Sequence, residues 1–309
     1  MPAATAAGWP KPEFYAFLPG MNQKLAGQLR TLLILGRVSN LPTIWSNCLA
    51  GWWLSGGGNG GKLPLLLAGV SALYLGGMFL NDAFDEEFDR QRRAARPIPA
   101  GLITAEAVWR FGWGWLALGV VLLWLTCPAA GVLGLVLLAC ILVYNATHKL
   151  ITASPWLMGL CRFWVYVIAG TTGADGLNGW PVWCGLALAL YIAGLSYVAR
   201  RENLRGPVPY WPLLLLAAPL FLALLMDQGE YRWPAVWLGV ALGLWVVRCI
   251  WSVFTAGPVN VIPMVSGLLG GIVLVDWLAV APECPWGLGV VFLILFGLTQ
   301  LLQQSIPAT

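Results

Sequence analysis

Apolar runs alternate with short polar segments along almost the whole chain. They lie near 32–54, 63–81, 104–126, 130–146, 156–174, 181–199, 211–226, 233–254, 260–280 and 286–303. A helix rises about 1.5 Å per residue, so about 20 apolar residues cross a hydrocarbon core of roughly 30 Å. The pattern predicts an all-α polytopic membrane protein, a bundle of nine to ten transmembrane helices. Pro258 and Pro263 interrupt the approach to the ninth run, which keeps nine open beside ten. Residues 1–30 read as a flexible cytoplasmic tail, because their Pro- and Gly-rich start lacks an apolar stretch directly after a basic one. Residues 31–309 read as a single transmembrane domain.

Composition supports this reading. Hydrophobic residues make up 59% of the chain, above the roughly 45–50% of a soluble domain, and the mean hydropathy is +0.77. A net charge of +4, with no basic run interleaved with aromatics, leaves no footprint for nucleic acid. The seven cysteines form no CxxC pair and mostly lie inside apolar runs, so they read as buried thiols. Tryptophans recur at run ends, among them Trp52, Trp109, Trp156, Trp180, Trp211, Trp233 and Trp286, where interfacial belts form.

Lys and Arg set the orientation. With the N-terminus inside, fifteen lie on or nearest the cytoplasmic side and only Lys62 and Arg232 fall outside. Three polar segments then share the cytoplasmic face and can converge. Two of them, after the second and the sixth runs, stand four spans apart, as in a tandem of four-helix units.

The first segment, 81–101, reads NDAFDEEFDRQRRAARPIPAG and packs five acids into a chain only 10% charged. Asp82, Asp85 and Asp89 are spaced i, i+3, i+7, so on one helix they share nearly one face. A divalent cation such as Mg²⁺, which takes carboxylate oxygens along with water and phosphate, would relieve their repulsion. A solvated loop balanced by Arg90, Arg92, Arg93 and Arg96 is the other reading. The pattern NDxxDxxxD followed by RPIPxG resembles the first aspartate-rich motif of the UbiA superfamily of intramembrane prenyltransferases. That resemblance implies a bundle of about nine helices in which Asp82, Asp85 and Asp89 hold Mg²⁺. It also implies that Asn81 assists them and that Arg96 lies beside the diphosphate of a polyprenyl donor.

The second segment, 144–162, resembles the tyrosine and basic-residue motif of the same family and offers Tyr144, Asn145, His148, Lys149 and Arg162. His148 and Lys149 read equally as interfacial anchors. Arg162 lies roughly two turns inside an apolar run, where an ionised group is costly, and calls for a diphosphate or an acid such as Asp85.

The third segment, 191–206, departs from the family. A second aspartate motif is expected there, yet the stretch YIAGLSYVARRENLRG contains no Asp. Tyr197, Arg200, Arg201 and Glu202 stand in its place. Either the arginines bind phosphate oxygens directly or the second metal site is lost; positive-inside anchoring explains them as well. Arg37, Asn40 and Asn47 face either the same cavity or a helix contact, and Asp276, inside an apolar run, is open in the same way.

The resemblance implies transfer of a prenyl group from a polyprenyl diphosphate to a small lipophilic acceptor, with Mg²⁺ as cofactor and membrane lipid around the bundle. Asp82, Asp85, Arg96, Lys149 and Arg162 would carry the ionisation, and Asn47 and the other polar residues would bind substrate. Two rivals remain: a non-catalytic carrier of a lipophilic or phosphorylated molecule, and a CDP-alcohol phosphotransferase, whose Asp-Gly and Gly-xxx-Asp signatures are absent here.

Overall fold

The computed structural model describes residues 22–58, 60–200, 211–226, 229, 232–255 and 261–308. These residues form helices, with no strand among them. The chain opens with α1 (Gln23–Leu35), capped by the Asn22 side chain, which accepts from Lys24 N at 2.9 Å. Residues 23–30 are thus helical, and the tail expected from 1 to 30 lies, through residue 21, outside the described residues.

Among the described residues seven helices are long and apolar enough to cross a membrane. They are α3 (Leu63–Phe84), α5 (Ala105–Thr126), α6 (Pro128–Thr147), α8 (Gly179–Ala199), α11 (Arg232–Thr255), α12 (Val261–Val280) and α13 (Trp286–Ser305). The other three apolar runs fold differently from uninterrupted spans. Run 32–54 breaks at Gly36 and Arg37, and only its second part forms α2 (Leu41–Trp53, 13 residues). Run 156–174 gives the 17 residues of α7 (Ser154–Gly170), and 211–226 splits into α9 (Trp211–Leu215) and α10 (Ala218–Met226). Local breaks of this kind are invisible to apolarity, because every residue involved can be buried either way.

The α3–α5 pair shows what draws the helices together. Gly69 and Gly76 on α3 meet Gly112 and Gly119 on α5 so closely that a Cβ on Gly76 would stand 2.8 Å from the Gly112 carbonyl oxygen. A Cβ on Gly119 would stand as close to that of Gly69. In lipid, where burial gives no advantage over an apolar solvent, such close backbone approach is a main source of association. Gly76→Val should therefore lower stability by about 1–3 kcal/mol, as overpacking does. An unchanged thermal unfolding midpoint in detergent would show that the seam can yield.

Two large cores result. One packs Ile44, Val70, Leu73, Leu116, Leu123 and Val165 from the first half, and the other packs Tyr166, Leu188, Tyr191, Leu268 and Ile272 from the second. Helix α2 serves both, through Ile44 and Cys48 on one side and Ala50 on the other. Trp156, Trp180, Trp211, Trp233 and Trp286 stand exposed within the first three residues of their helices, the places expected of belt residues.

Candidate active site

The acidic segment does not form one continuous helix. Helix α3 ends at Phe84, Asp85 takes φ −88° and ψ −1°, and α4 (Glu86–Arg92) follows. Backbone bonds still run through the junction, from Asp85 N to Asn81 O at 3.0 Å and from Asp89 N to Asp85 O at 2.8 Å. The bend separates two kinds of acid. Asp82 and Asp89 are buried, whereas Glu86 and Glu87 pair along α4 with Arg90 and Gln91.

Asp82 and Asp85 face different cations. Arg37 Nη2 and Arg96 Nη1 both stand 3.4 Å from Asp82 Oδ1, and Arg37 also donates to Asn81 Oδ1 at 3.0 Å. Arg37 reaches them from a left-handed turn (φ 43°, ψ 49°), a conformation that costs an L-residue about 1–2 kcal/mol. The Tyr74 hydroxyl braces the turn by donating to the Arg37 carbonyl at 3.2 Å. Arg96 is set by the RPIPAG turn, in which Ala100 N donates to Arg96 O, Gly101 takes φ +71°, and Ile98 packs on the cluster of Leu35, Phe79 and Val108.

Asp85 is held by the loop between α6 and α7: Lys149 Nζ at 2.6 Å and His148 Nε2 at 3.4 Å. Burial alone would raise its carboxyl, but the hydrogen bonds and charges of His148 and Lys149 outweigh it and hold the group below the usual carboxylate range. Asp89 is pushed upward by burial, with Asp85 and Asp82 adding to the rise and Arg96 and Arg93 opposing it. The His148 ring stacks on Tyr144, and its Nδ1 stands 3.2 Å from the Asn145 carbonyl. Lys149 also lies 3.9 Å over the Phe88 ring, a contact no motif announces.

Asn145 links the site to the interior: it accepts from Asn81 Nδ2 at 3.3 Å and donates to the Gly77 carbonyl at 3.0 Å. Beneath it lies a cavity of about 80 Å³ lined by Ile44, Tyr74, Ile141, Tyr144, Met158 and Arg162, among others. Few polar groups on an apolar wall is the usual make-up of a small-molecule site.

The structure gives several of the residues singled out in the sequence partners within the protein. Among the described residues no three His, Cys, Asp or Glu side chains gather as a metal site; Asp82 meets Arg37 and Arg96 instead, and Asp85 meets His148 and Lys149. The oxygen donors still suit Mg²⁺, which takes one or two carboxylates and completes its shell with water and phosphate. Arg162 meets neither Asp85 nor the acidic segment; its partners are Thr43 and Asn47 on α2. Arg200 binds the α6–α7 loop: Nη1 donates to Thr152 O, and Nη2 to the carbonyls of His148 and Ile151 and to Ser154 Oγ, at 2.5 to 2.8 Å.

Arg200 therefore shapes the loop that carries His148 and Lys149. Arg200→Ala should raise hydrogen exchange and protease cleavage across 148–153 and weaken prenyl diphosphate binding; an equally protected loop would remove this role. Tyr197 packs edge-on between Trp156 and Trp211. Arg201 and Glu202 lie outside the described residues.

Asp276 is fully buried in the second core. It accepts from Ser46 Oγ and Tyr166 Oη at 2.5 Å and from Asn47 Nδ2 at 2.6 Å, joining α12 to α2 and α7. Ser46 and Tyr166 gave no sequence signal; an Asp inside an apolar run was the one clue.

Known proteins share this architecture. A structure of digeranylgeranylglyceryl phosphate synthase in membranes superposes with a TM-score of 0.58 at 21% identity, covering 83% of this chain and 99% of that one. A UbiA homologue from Archaeoglobus fulgidus bound to GPP and Mg²⁺ gives 0.61 at 14% identity, covering 89% and 99%. In sequence, a digeranylgeranylglyceryl phosphate synthase from Methanopyrus kandleri is 27% identical over 231 residues, 59% of this chain and 83% of the relative. Its counterpart from Ignicoccus hospitalis is 36% identical over 97 residues, a match spanning 31% of this chain and 32% of that relative. A protoheme IX farnesyltransferase from Alkalihalophilus pseudofirmus is 29% identical, with 69% of this chain and 64% of that one matched. The model of the UbiA prenyltransferase family matches residues 40–255, and the chain belongs to that family.

Proposed function

We propose that the chain transfers a prenyl group from a polyprenyl diphosphate to a small lipophilic acceptor, at the cytoplasmic face of a bundle that crosses the membrane nine or ten times, through the seven long helices and two or all three of α2, α7 and the α9–α10 pair. The observation that carries this reading is the set of buried carboxylates and cations, Asp82 with Arg37 and Arg96 and Asp85 with Lys149, standing over an apolar cavity.

In the reaction the allylic C–O bond breaks and its electron pair leaves with the diphosphate. Arg37, Arg96 and Lys149 supply fixed positive charge where that negative charge grows. The apolar wall keeps water from the allylic cation until the acceptor attacks and gives up its proton. Asp82, Asp85 and Asp89 would hold Mg²⁺, which would supply charge stabilisation of the departing diphosphate. Tyr144, Asn145 and His148 border the reacting end, and from the third segment Arg201 and Glu202 would contact substrate, Arg201 at the phosphate oxygens.

One observation favours a second reading. Arg200, in the place of a second acidic motif, is spent on the α6–α7 loop, which leaves one acidic site to bind a diphosphate without turning it over. Purified protein given Mg²⁺, geranyl diphosphate and a panel of lipophilic acceptors decides between them. Pyrophosphate release that depends on the acceptor supports transfer; tight binding with no release from any acceptor supports a carrier.

A further inference from the structure

Arg37 is the one non-glycine residue with a positive φ among the described residues, and it meets both Asn81 and Asp82. A backbone in that region persists only where its surroundings over-determine it. Two bonds fix the Arg37 carbonyl: the Tyr74 hydroxyl donates to it at 3.2 Å and the Asn40 amide at 3.0 Å. Asn40 closes the short turn Val38–Asn40 from which α2 starts, so whatever holds Asn40 also holds the turn.

That hold comes from 268 positions away. Asn40 is only 4% exposed, and its Nδ2 donates to the Ala308 carbonyl at 2.9 Å. Gln303 Nε2 stands 3.5 Å from its Oδ1, a longer contact from the same segment. The Asn40 carbonyl accepts from Thr43 Oγ1 at 2.7 Å, which ties the turn into α2. Helix α13 ends at Ser305, and Ile306 takes an extended backbone (φ −125°, ψ 118°). Ile306 and Ala308 are buried and Pro307 between them is exposed, the alternation of an extended stretch with one face packed. A stretch leaving a helix ordinarily runs over the surface; this one is seated in the protein, and its carbonyl meets a buried carboxamide. A leucine at position 40 would serve the packing of α13 on α2 and on the turn, so the carboxamide adds the clasp.

We propose that Asn40 and the segment 303–308 are positioning elements for Arg37: by clasping this segment, Asn40 keeps the turn left-handed and the Arg37 guanidinium on Asn81 and Asp82. Released, the turn relaxes to a right-handed backbone and Arg37 leaves the acidic site. That Arg37 serves a diphosphate there rests on the transfer reading above; the hold on its backbone does not.

The test uses the full chain in detergent and two variants. Asn40→Leu removes the clasp, and Ile306→Asp unseats the segment with Asn40 intact and decides the matter if Asn40→Leu does not fold. Without ligand, both should raise hydrogen exchange across 36–41 by about tenfold, the loss of one buried hydrogen bond, while α5 keeps its protection. Calorimetry with geranyl diphosphate and Mg²⁺ then separates positioning from general packing. Arg37→Ala should weaken binding by about tenfold or more, as loss of a charged hydrogen bond does. Asn40→Leu should reproduce part of that loss and add none in the Arg37→Ala background, since two residues acting through one contact are not additive. Unchanged exchange across 36–41 in both variants overturns the proposal. So does a loss of affinity as large without Arg37 as with it, or full affinity despite faster exchange. If geranyl diphosphate fails to bind the unaltered protein, the transfer reading falls, and the exchange result by itself decides whether the clasp holds Arg37.

Discussion

Asp82→Asn and Asp85→Asn should each abolish Mg²⁺-dependent binding of geranyl diphosphate, a loss of about 100-fold or more, since even partners behind metal ligands are worth 10–100-fold. Two effects compete at Asp82, and they differ in sign. Its carboxylate pairs with Arg37 and Arg96, so neutralising it frees positive charge and should strengthen binding of diphosphate without metal. With Mg²⁺ present the lost metal ligand dominates. Asp85→Asn has a further consequence, because Lys149 and His148 lose the carboxylate that anchors them. Calorimetric titrations with and without Mg²⁺ separate the two contributions. Unchanged affinity with Mg²⁺ in both variants would end the metal-site reading, and tighter binding in Asp82→Asn under both conditions would make Asp82 a holder of arginines only.

Asp276→Leu should destabilise the protein by about 3–5 kcal/mol, the range found when one member of a buried charged network is removed. Leucine resembles the apolar neighbours of Asp276 and would suit a membrane helix by itself. It would nevertheless leave the Ser46 and Tyr166 hydroxyls and the Asn47 amide without an acceptor, each orphan costing about 1–3 kcal/mol. It would also remove the carboxylate that balances Arg162 through Asn47. Asp276→Asn retains one acceptor oxygen and should cost less. The thermal unfolding midpoint of the two variants in one detergent checks this order; a Leu variant as stable as the unaltered chain would show that the network is not a structural link between α2, α7 and α12.

The sequence alone determined the class of fold and which residues gather at the first site. Apolar runs about 20 residues long are a local property, so the membrane helices were legible wherever the run was unbroken, as in α3, α5 and α8. The acidic segment and RPIPAG turn were legible for the same reason, as was the lack of a second aspartate set. The distribution of Lys and Arg led to the expectation that the polar segments converge, and Lys149 on Asp85 and Arg200 on the 148–154 loop show that their described parts meet.

Tertiary structure decided the partners. Arg37 lies 45 positions from Asp82, Asp276 lies 230 from Ser46, and Arg162 lies 119 from Thr43; periodicity carries no information at such separations. It also decided the bend at Asp85 and the break at Arg37, where side chains with distant partners, not helix propensity, select the backbone. Arg162 marks the boundary between the two. Its depth in an apolar run identified it as a functional suspect, while its orientation toward Thr43 and Asn47 on α2 came from how α2, α7 and α12 pack.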